Sequence, residues 1–175
     1  MGRLRSVAKP SAGRITVIVL VVAMAAMWIY VVYLALGPGR QPPPDRLQDT
    51  SFAVAAQQRC VAAHVIVDQL PTANQSTSAR DQATVVDQAN AEFTSMLADL
   101  DDLVPPTIEG RLADAWIADW RVYLGDRERY ADALRSDPDA RLLVSPKDRQ
   151  QITEFIDAFA GDNRMIACAT PLDVG

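Results

Sequence analysis

Residues 15–36 have the sequence ITVIVLVVAMAAMWIYVVYLAL, which is 22 residues long and contains no charged side chain. A helix rises about 1.5 Å per residue, so this stretch would be about 33 Å long as a helix. That length slightly exceeds the hydrocarbon core of a bilayer, which is about 30 Å thick. The stretch therefore predicts a transmembrane helix over residues 15–36.

The charges on the two sides of this stretch differ in sign. Residues 37–175 contain 13 basic and 22 acidic side chains, a net charge of −9. Residues 1–36 contain no acid and four bases, Arg3, Arg5, Lys9 and Arg14. Basic flanks stay in the cytoplasm, so we expect residues 1–14 to be a cytoplasmic stub and everything after Leu36 to lie outside. The acidic balance excludes a nucleic-acid binder that relies on overall basic charge, so no nucleic-acid partner is expected.

Residues near the ends of the apolar stretch suit the two membrane surfaces. Arg14 directly precedes it, on the cytoplasmic side in this orientation. Trp28, Tyr30 and Tyr33 lie in its C-terminal half, where aromatic side chains form an interfacial belt. A cleaved signal peptide is the alternative, but its apolar region is normally about 7–15 residues long, and Pro38 follows the best cleavage site. We therefore predict an uncleaved single-pass anchor in the plasma membrane.

A proline-rich segment separates the anchor from the rest of the chain. Residues 37–46 begin Gly-Pro-Gly and contain three consecutive prolines at positions 42–44, which favour an extended polyproline II spacer. We interpret residues 37–46 as a linker and residues 47–175 as one outer domain. A domain of about 130 residues is large enough to bury a core of its own.

Apolar residues in the outer domain recur every three or four positions, which is the period of a helix. Ser78 with Asp81 three residues later is typical of an N-terminal helix cap, and Ser145 followed by Pro146 is typical of another. No stretch alternates β-branched and polar residues as strands do. We therefore predict an all-α fold, an antiparallel bundle of four helices, over residues 47–70, 78–104, 108–135 and 146–163.

The chain has two cysteines, Cys60 and Cys168, and both lie in the outer domain. Disulfides persist in oxidising compartments outside the cytoplasm, and Cys60 falls on the inward stripe of the first helix of the outer domain. We therefore predict a Cys60–Cys168 disulfide. It requires a short last helix, or a tail that turns back toward the first helix. Two free, unrelated thiols are the alternative.

Candidate catalytic and metal-binding groups are few. The single histidine, His64, has Asp68 four residues later on the same helix face, but no motif marks a serine or cysteine nucleophile. One histidine is too few for the zinc sites that need two or more, the sequence has no Glu-x-x-His pair, and its acidic clusters lack calcium-loop spacing. We therefore expect no enzyme activity, no metal and no cofactor. Asn74 begins a formal N-glycosylation sequon in a polar turn.

The third helix of the outer domain carries several large aromatic side chains on one face. One interpretation is that they fill the core of an alanine-rich bundle, and the other is that they line a groove for an apolar ligand or a partner helix. Arg127 motivates the second, because an arginine on the inward stripe must be paired with an acid, an aromatic ring or an anionic ligand. The candidate groove residues are Trp116, Trp120, Tyr123, Arg127 and Tyr130.

The short cytoplasmic stub limits the classes of function. About 14 residues are too few to fold, so we expect the protein to act within or outside the membrane. The first hypothesis is an interaction protein that scaffolds or assembles a complex with another membrane or envelope protein. The alternative is a ligand-binding or sensory outer domain that signals through a membrane partner, with an unknown ligand.

The disulfide prediction is tested by counting free thiols in denatured, non-reduced protein taken from the cell envelope. We expect no reactive thiol before reduction and two after it. Two reactive thiols before reduction would mean that Cys60 and Cys168 are unpaired.

Overall fold

A computed structural model describes residues 12–36, 43–72 and 75–173 of the chain. Contacts divide the chain into two compact units, Met1–Pro42 and Pro43–Gly175. We call the second unit the helical domain and describe the two units separately. Several residues to which the sequence assigns a role lie outside the described residues: Arg3, Arg5, Lys9, Asn74 and the linker residues 37–42.

The described residues of the first unit form one helix, α1, Ala12–Leu36. Its segment Gly13–Leu34 has a mean hydropathy of 2.7 and no buried residue. A helix of this composition satisfies its backbone hydrogen bonds internally, as the interior of a bilayer requires. The prediction of an N-terminal helix long and apolar enough to span a membrane is confirmed. Exposed side chains near its ends include Arg14, Trp28, Tyr30 and Tyr33.

The described part of the helical domain is mostly α-helical, with α2 (Ser51–Val67), α3 (Ala79–Asp101), α4 (Gly110–Leu134) and α5 (Ile152–Asp162). α3 and α4 form the most extensive helix pair, α2 packs on α3, and α5 packs on α4. A short 3₁₀ helix, Ile166–Cys168, packs on both α2 and α5. The helical character predicted from the sequence is therefore confirmed.

A large hydrophobic cluster lies between these helices. Ala56 and Ala63 on α2 and Ala89 on α3 are at most 1% exposed, and their small side chains let the two helices approach closely. Bulky side chains of α4 fill the remaining space. Trp116, for example, stacks on Phe159 of α5 with ring centroids 5.5 Å apart. The core thus combines two alanine-rich helices with one aromatic helix.

The N-terminal cap of α3 matches the sequence pattern. The Ser78 hydroxyl accepts a hydrogen bond from the Asp81 backbone N–H at 3.1 Å, which satisfies a donor of the first turn. The Asp81 carboxylate in turn accepts from the hydroxyls of Thr77 and Ser78, and these hydrogen bonds lower the pKa of Asp81. The capping residues therefore begin α3 where the sequence predicts.

The helix predicted over residues 146–163 is wrong at its N-terminus. Pro146–Lys147 (β1) pairs antiparallel with Gln150–Gln151 (β2), and α5 starts only after β2. Asp148 and Arg149 form the turn with positive φ angles of 47° and 72°, which no right-handed helix contains. This small hairpin also corrects the expectation that the outer domain has no strands.

Side chains of α4 explain why no helix starts at Ser145. The backbone N–H and the hydroxyl of Ser145 both donate to the buried carboxylate of Asp126, each at 2.7 Å. Two residues later, Lys147 forms an ion pair with Asp119 at 2.6 Å. These contacts bind the segment to α4, so the predicted cap is replaced by a tertiary anchor.

The predicted disulfide is confirmed: Cys60 and Cys168 are bonded, and both side chains are fully buried. α5 has 11 residues, so it is shorter than predicted. Arg164, just after α5, has a positive φ of 60° and reverses the chain. The 3₁₀ helix thereby reaches α2. The short helix and the returning tail that the disulfide requires are both present.

The helical domain begins before Leu47. The backbone N–H of Leu47 donates to Asn163 Oδ1 at 2.8 Å, and Asn163 Nδ2 donates to the Asp45 carbonyl at 3.1 Å. The backbone N–H of Asp49 donates to Glu109 Oε2 at 3.2 Å. The end of the predicted linker therefore belongs to the folded unit.

Asp126→Ala is expected to lower the free energy of unfolding by about 1–3 kcal/mol, because the Ser145 N–H loses its acceptor in a partly buried place. Asp132→Ala is the control on the same helix. Its side chain is 81% exposed, and a surface ion pair such as the one with Arg135 contributes less than about 1 kcal/mol. Urea unfolding followed by tryptophan fluorescence measures both variants, and equal effects would contradict the anchoring role of Asp126.

Candidate functional site

The aromatic residues predicted to share one face of a helix do so on α4. They lie in the core, and each is at most 7% exposed. This burial agrees with the interpretation that they fill the bundle, and it leaves no open groove at these positions. The four residues are Trp116, Trp120, Tyr123 and Tyr130.

The two indole groups also fasten other elements to α4. The Trp116 Nε1–H donates to the Ile156 carbonyl of α5 at 3.2 Å. The Trp120 Nε1–H donates to the Cys168 carbonyl at 3.2 Å, at the end of the 3₁₀ helix. These hydrogen bonds satisfy the only polar atom of each buried indole. α4 therefore positions both α5 and the start of the C-terminal tail.

Arg127 on α4 is fully buried, and each of its three guanidinium nitrogens has a partner. Nε donates to Asn90 Oδ1 at 2.6 Å, while Nη1 and Nη2 donate to the two carboxylate oxygens of Asp173, both at 2.7 Å. The guanidinium carbon also lies 5.4 Å from the ring centre of Phe93 and 5.8 Å from that of Tyr123. Of the predicted partners, the acid and the aromatic ring are both present, but the acid comes from the C-terminal tail.

This ion pair changes two pKa values. Burial acts to lower the pKa of Arg127, but the hydrogen bonds and the charge of Asp173 outweigh it, so the pKa is raised. Burial raises the pKa of Tyr123, and the positive charge of Arg127 opposes that rise. Arg127 therefore remains charged at every physiological pH.

Asn90 and Asp173 were not identified from the sequence. Asn90 on α3 is 4% exposed, and its Nδ2 is the one buried side-chain nitrogen or oxygen without a hydrogen-bond partner among the described residues. The available signal was a polar residue beside the inward stripe of α3. Asp173 carries no such signal, since nothing in a short tail indicates which helix it reaches.

His64 and Asp68 are not arranged as a catalytic pair. The His64 ring is half-buried and packs edge-on against Phe93, with ring centroids 5.6 Å apart. Asp68 is exposed, and in the described part of the chain no hydrogen bond joins the two side chains. Residues 12–36, 43–72 and 75–173 also contain no group of three or more His, Cys, Asp or Glu side chains that could hold a metal ion.

A cavity of about 420 Å³ lies between the C-terminal end of α2, the first half of α3 and the C-terminal tail. Apolar side chains form much of its wall, among them Val67 and Leu70 from the α2 side and Val86 from α3. The polar groups at its wall include His64 and Asp173. Asp173 therefore lines the cavity, and its carboxylate pairs with the Arg127 guanidinium.

A second feature is a row of apolar side chains on α2 that the described residues of the helical domain leave about half exposed. Val54, Val61 and Val65 lie along one face and Ile66 lies at its border; all four are 45–57% exposed, and we call them the α2 surface. The opposite face of α2, which carries Cys60, is buried in the core. α2 is therefore apolar on both sides. The sequence shows these apolar residues outside the inward stripe.

The α2 surface carries no charged side chain. Arg59, the only arginine or lysine of α2, lies at its edge and binds Glu92 and Asp99 of α3. α2 contains no acidic residue. The surface is thus neutral, with paired charges at one border.

No family model matches the chain, and no curated protein or solved structure matches it.

Arg127→Ala is expected to lower the free energy of unfolding by about 3–5 kcal/mol, because it leaves Asp173 without its cation and opens a void in the core. The double variant Arg127→Met/Asp173→Leu removes both charges and fills the space, so we expect a much smaller loss. Thermal and urea unfolding of the full chain in detergent measure both variants. Unchanged stability of Arg127→Ala, with a lost binding phenotype, would contradict the structural role.

Proposed function

We propose that the protein is a single-pass, membrane-anchored interaction component that binds a partner through the α2 surface. The observation that carries the proposal is the exposure of Val54, Val61, Val65 and Ile66 on a helix whose other face is already buried. A contiguous group of exposed apolar side chains can mark a site of protein–protein contact. The α2 surface is therefore the place where a second protein would complete the packing.

The spacing of these residues suits another helix. Positions 54, 61 and 65, with Gln58 between the first two, follow steps of three and four residues and form a ridge of the kind that packs into a groove between helices. Covering one half-exposed valine or isoleucine contributes about 1 kcal/mol. Four such side chains therefore supply a useful part of a binding free energy.

Charge defines the chemistry of the partner. The α2 surface is neutral, whereas the chain after Leu36 has a net charge of −9. Two copies of such a domain would bring like charges together. We therefore infer an apolar helix flanked by basic side chains, on another membrane or envelope protein, because opposite charges at the rim favour encounter.

The proposal includes a topology. α1 spans the plasma membrane with residues 1–14 in the cytoplasm, and the helical domain lies outside as an antiparallel bundle of four helices. The change in charge sign across α1 supports this orientation. The disulfide supports an oxidising location for the helical domain.

The cavity between α2, α3 and the tail favours a second candidate function. Its volume of about 420 Å³ falls in the range of small-molecule sites. A ligand-binding outer domain that signals through a membrane partner would use it.

The interaction proposal is tested with a photo-crosslinking amino acid at Val61 of the full chain in intact cells. We expect a crosslink to an apolar helical segment of another membrane protein, and we expect Val65→Glu to remove that crosslink, because burying a carboxylate in the interface is unfavourable. Val65 is about half exposed, so its substitution changes the free energy of unfolding by less than about 0.5 kcal/mol.

Val122 on α4 provides the matched control, because it is 45% exposed, as Val61 is. The crosslinker placed at Val122 should not capture the same segment, and Val122→Glu should leave the Val61 crosslink intact. Equal capture from both positions would contradict a specific α2 surface. Crosslinking between two copies of this chain would contradict the partner chemistry.

A further inference from the structure

We propose that Arg127 forms a carboxylate-binding site that the chain's own C-terminal tail occupies through Asp173, and that its external ligand is a carboxylate carried on an apolar body. The inference rests on the second candidate function, ligand binding, and is independent of the α2 surface. It assigns a ligand class to the cavity between α2, α3 and the tail.

One side of the Arg127 guanidinium is held by α3 and α4. Asn90 of α3 accepts from Nε at 2.6 Å. Phe93 of α3 and Tyr123 of α4 lie 5.4 and 5.8 Å from the guanidinium carbon. These contacts leave Nη1 and Nη2 directed at one place, which the two oxygens of Asp173 occupy. A parallel pair of N–H···O bonds is the geometry with which arginine recognises a carboxylate.

The tail that supplies Asp173 has little other attachment near its end. Thr170 donates to Asp157 through its backbone N–H at 2.7 Å. Beyond it, Leu172 is 97% exposed. Within the described part of the chain, the bonds to Arg127 are the only hydrogen bonds that residues 171–173 make. Release of one ion pair is therefore enough to free Asp173 from the guanidinium.

The neighbouring cavity indicates what the ligand carries besides its carboxylate. Asp173 lines the cavity, and so do Val67, Leu70, Val86 and Ala89. A ligand whose carboxylate replaced that of Asp173 would place its remaining atoms against these apolar side chains. The cavity volume of about 420 Å³ admits an aromatic or short alkyl group.

Asn90 supplies an independent indication of a ligand. Its Nδ2 is buried and has no partner in the described part of the chain, while Oδ1 of the same amide contacts Arg127. A buried amide donor without an acceptor is unfavourable. Each oxygen of a carboxylate can accept more than one hydrogen bond. An external carboxylate that binds Arg127 could therefore accept a third hydrogen bond from Asn90 Nδ2, which would satisfy that donor.

The experiment compares phenylacetate with its neutral isostere phenylacetamide, titrated calorimetrically into the full chain in lipid nanodiscs. Asp173 competes for the site in the wild type. The apparent affinity for phenylacetate is therefore the intrinsic affinity multiplied by the fraction of molecules in which the site is free. We expect Asp173→Ala to bind phenylacetate at least about tenfold more tightly than the wild type. Phenylacetamide should bind both proteins equally weakly.

Three further variants make the outcome specific. Asp139→Ala removes one exposed carboxylate elsewhere and should not change phenylacetate binding. Arg127→Met/Asp173→Leu keeps a filled core and should abolish binding. Asp173→Asn retains an acceptor for Arg127 and replaces Asp173→Ala if that variant does not fold.

Equal affinity of Asp173→Ala for phenylacetate and phenylacetamide would overturn the carboxylate site but keep a ligand cavity. If neither compound binds, the ligand-binding function is overturned as well. The Arg127–Asp173 pair would then only attach the tail to α4. Neither result affects the α2 crosslinking.

Discussion

The disulfide between Cys60 and Cys168 determines where residues 166–173 run. It joins residues 108 positions apart and holds the 3₁₀ helix against α2. The Trp120 indole bonds the Cys168 carbonyl from the other side. Five residues later, the tail delivers Asp173 to Arg127. A charge buried in the core thus depends on a covalent bond that directs the tail toward it.

α4 is the element that the other segments use as a platform. Its aromatic side chains fill the space left by the small residues of α2 and α3, and its acidic side chains bind the loop before α5. Asp126 is fully buried and accepts from Ser145, and Asp119 pairs with Lys147. The two buried charged groups of α4, Asp126 and Arg127, are compatible with folding because each has a partner from a segment distant in sequence.

The two candidate sites differ in physical character. The α2 surface is neutral, apolar and open, so it suits a protein partner that excludes water from it. The Arg127 site is charged and closed, and its present occupant belongs to the same chain. The first arises because α2 has more apolar side chains than the core covers, and the second because α4 places the charged side chain of Arg127 in the core.

Local sequence was sufficient for α1, for the inward stripes, for the cap at Ser78 and for the pairing of the only two cysteines. Helix period, hydropathy and capping involve residues within about four positions of one another, so neighbours alone determine them. The aromatic residues of α4 were likewise assigned to one face correctly. Their role as core, and not as an open groove, depended on how α5 and the tail cover them.

Only the tertiary structure decided the features that join distant residues. Ser145 binds Asp126 across 19 positions and forms a hairpin where its local pattern predicts a helix. Asp173 finds Arg127 across 46 positions. In each case the packing of distant segments outweighs a local preference. The free energy of one buried hydrogen bond or ion pair exceeds the difference of roughly a few tenths of a kcal/mol between local conformations.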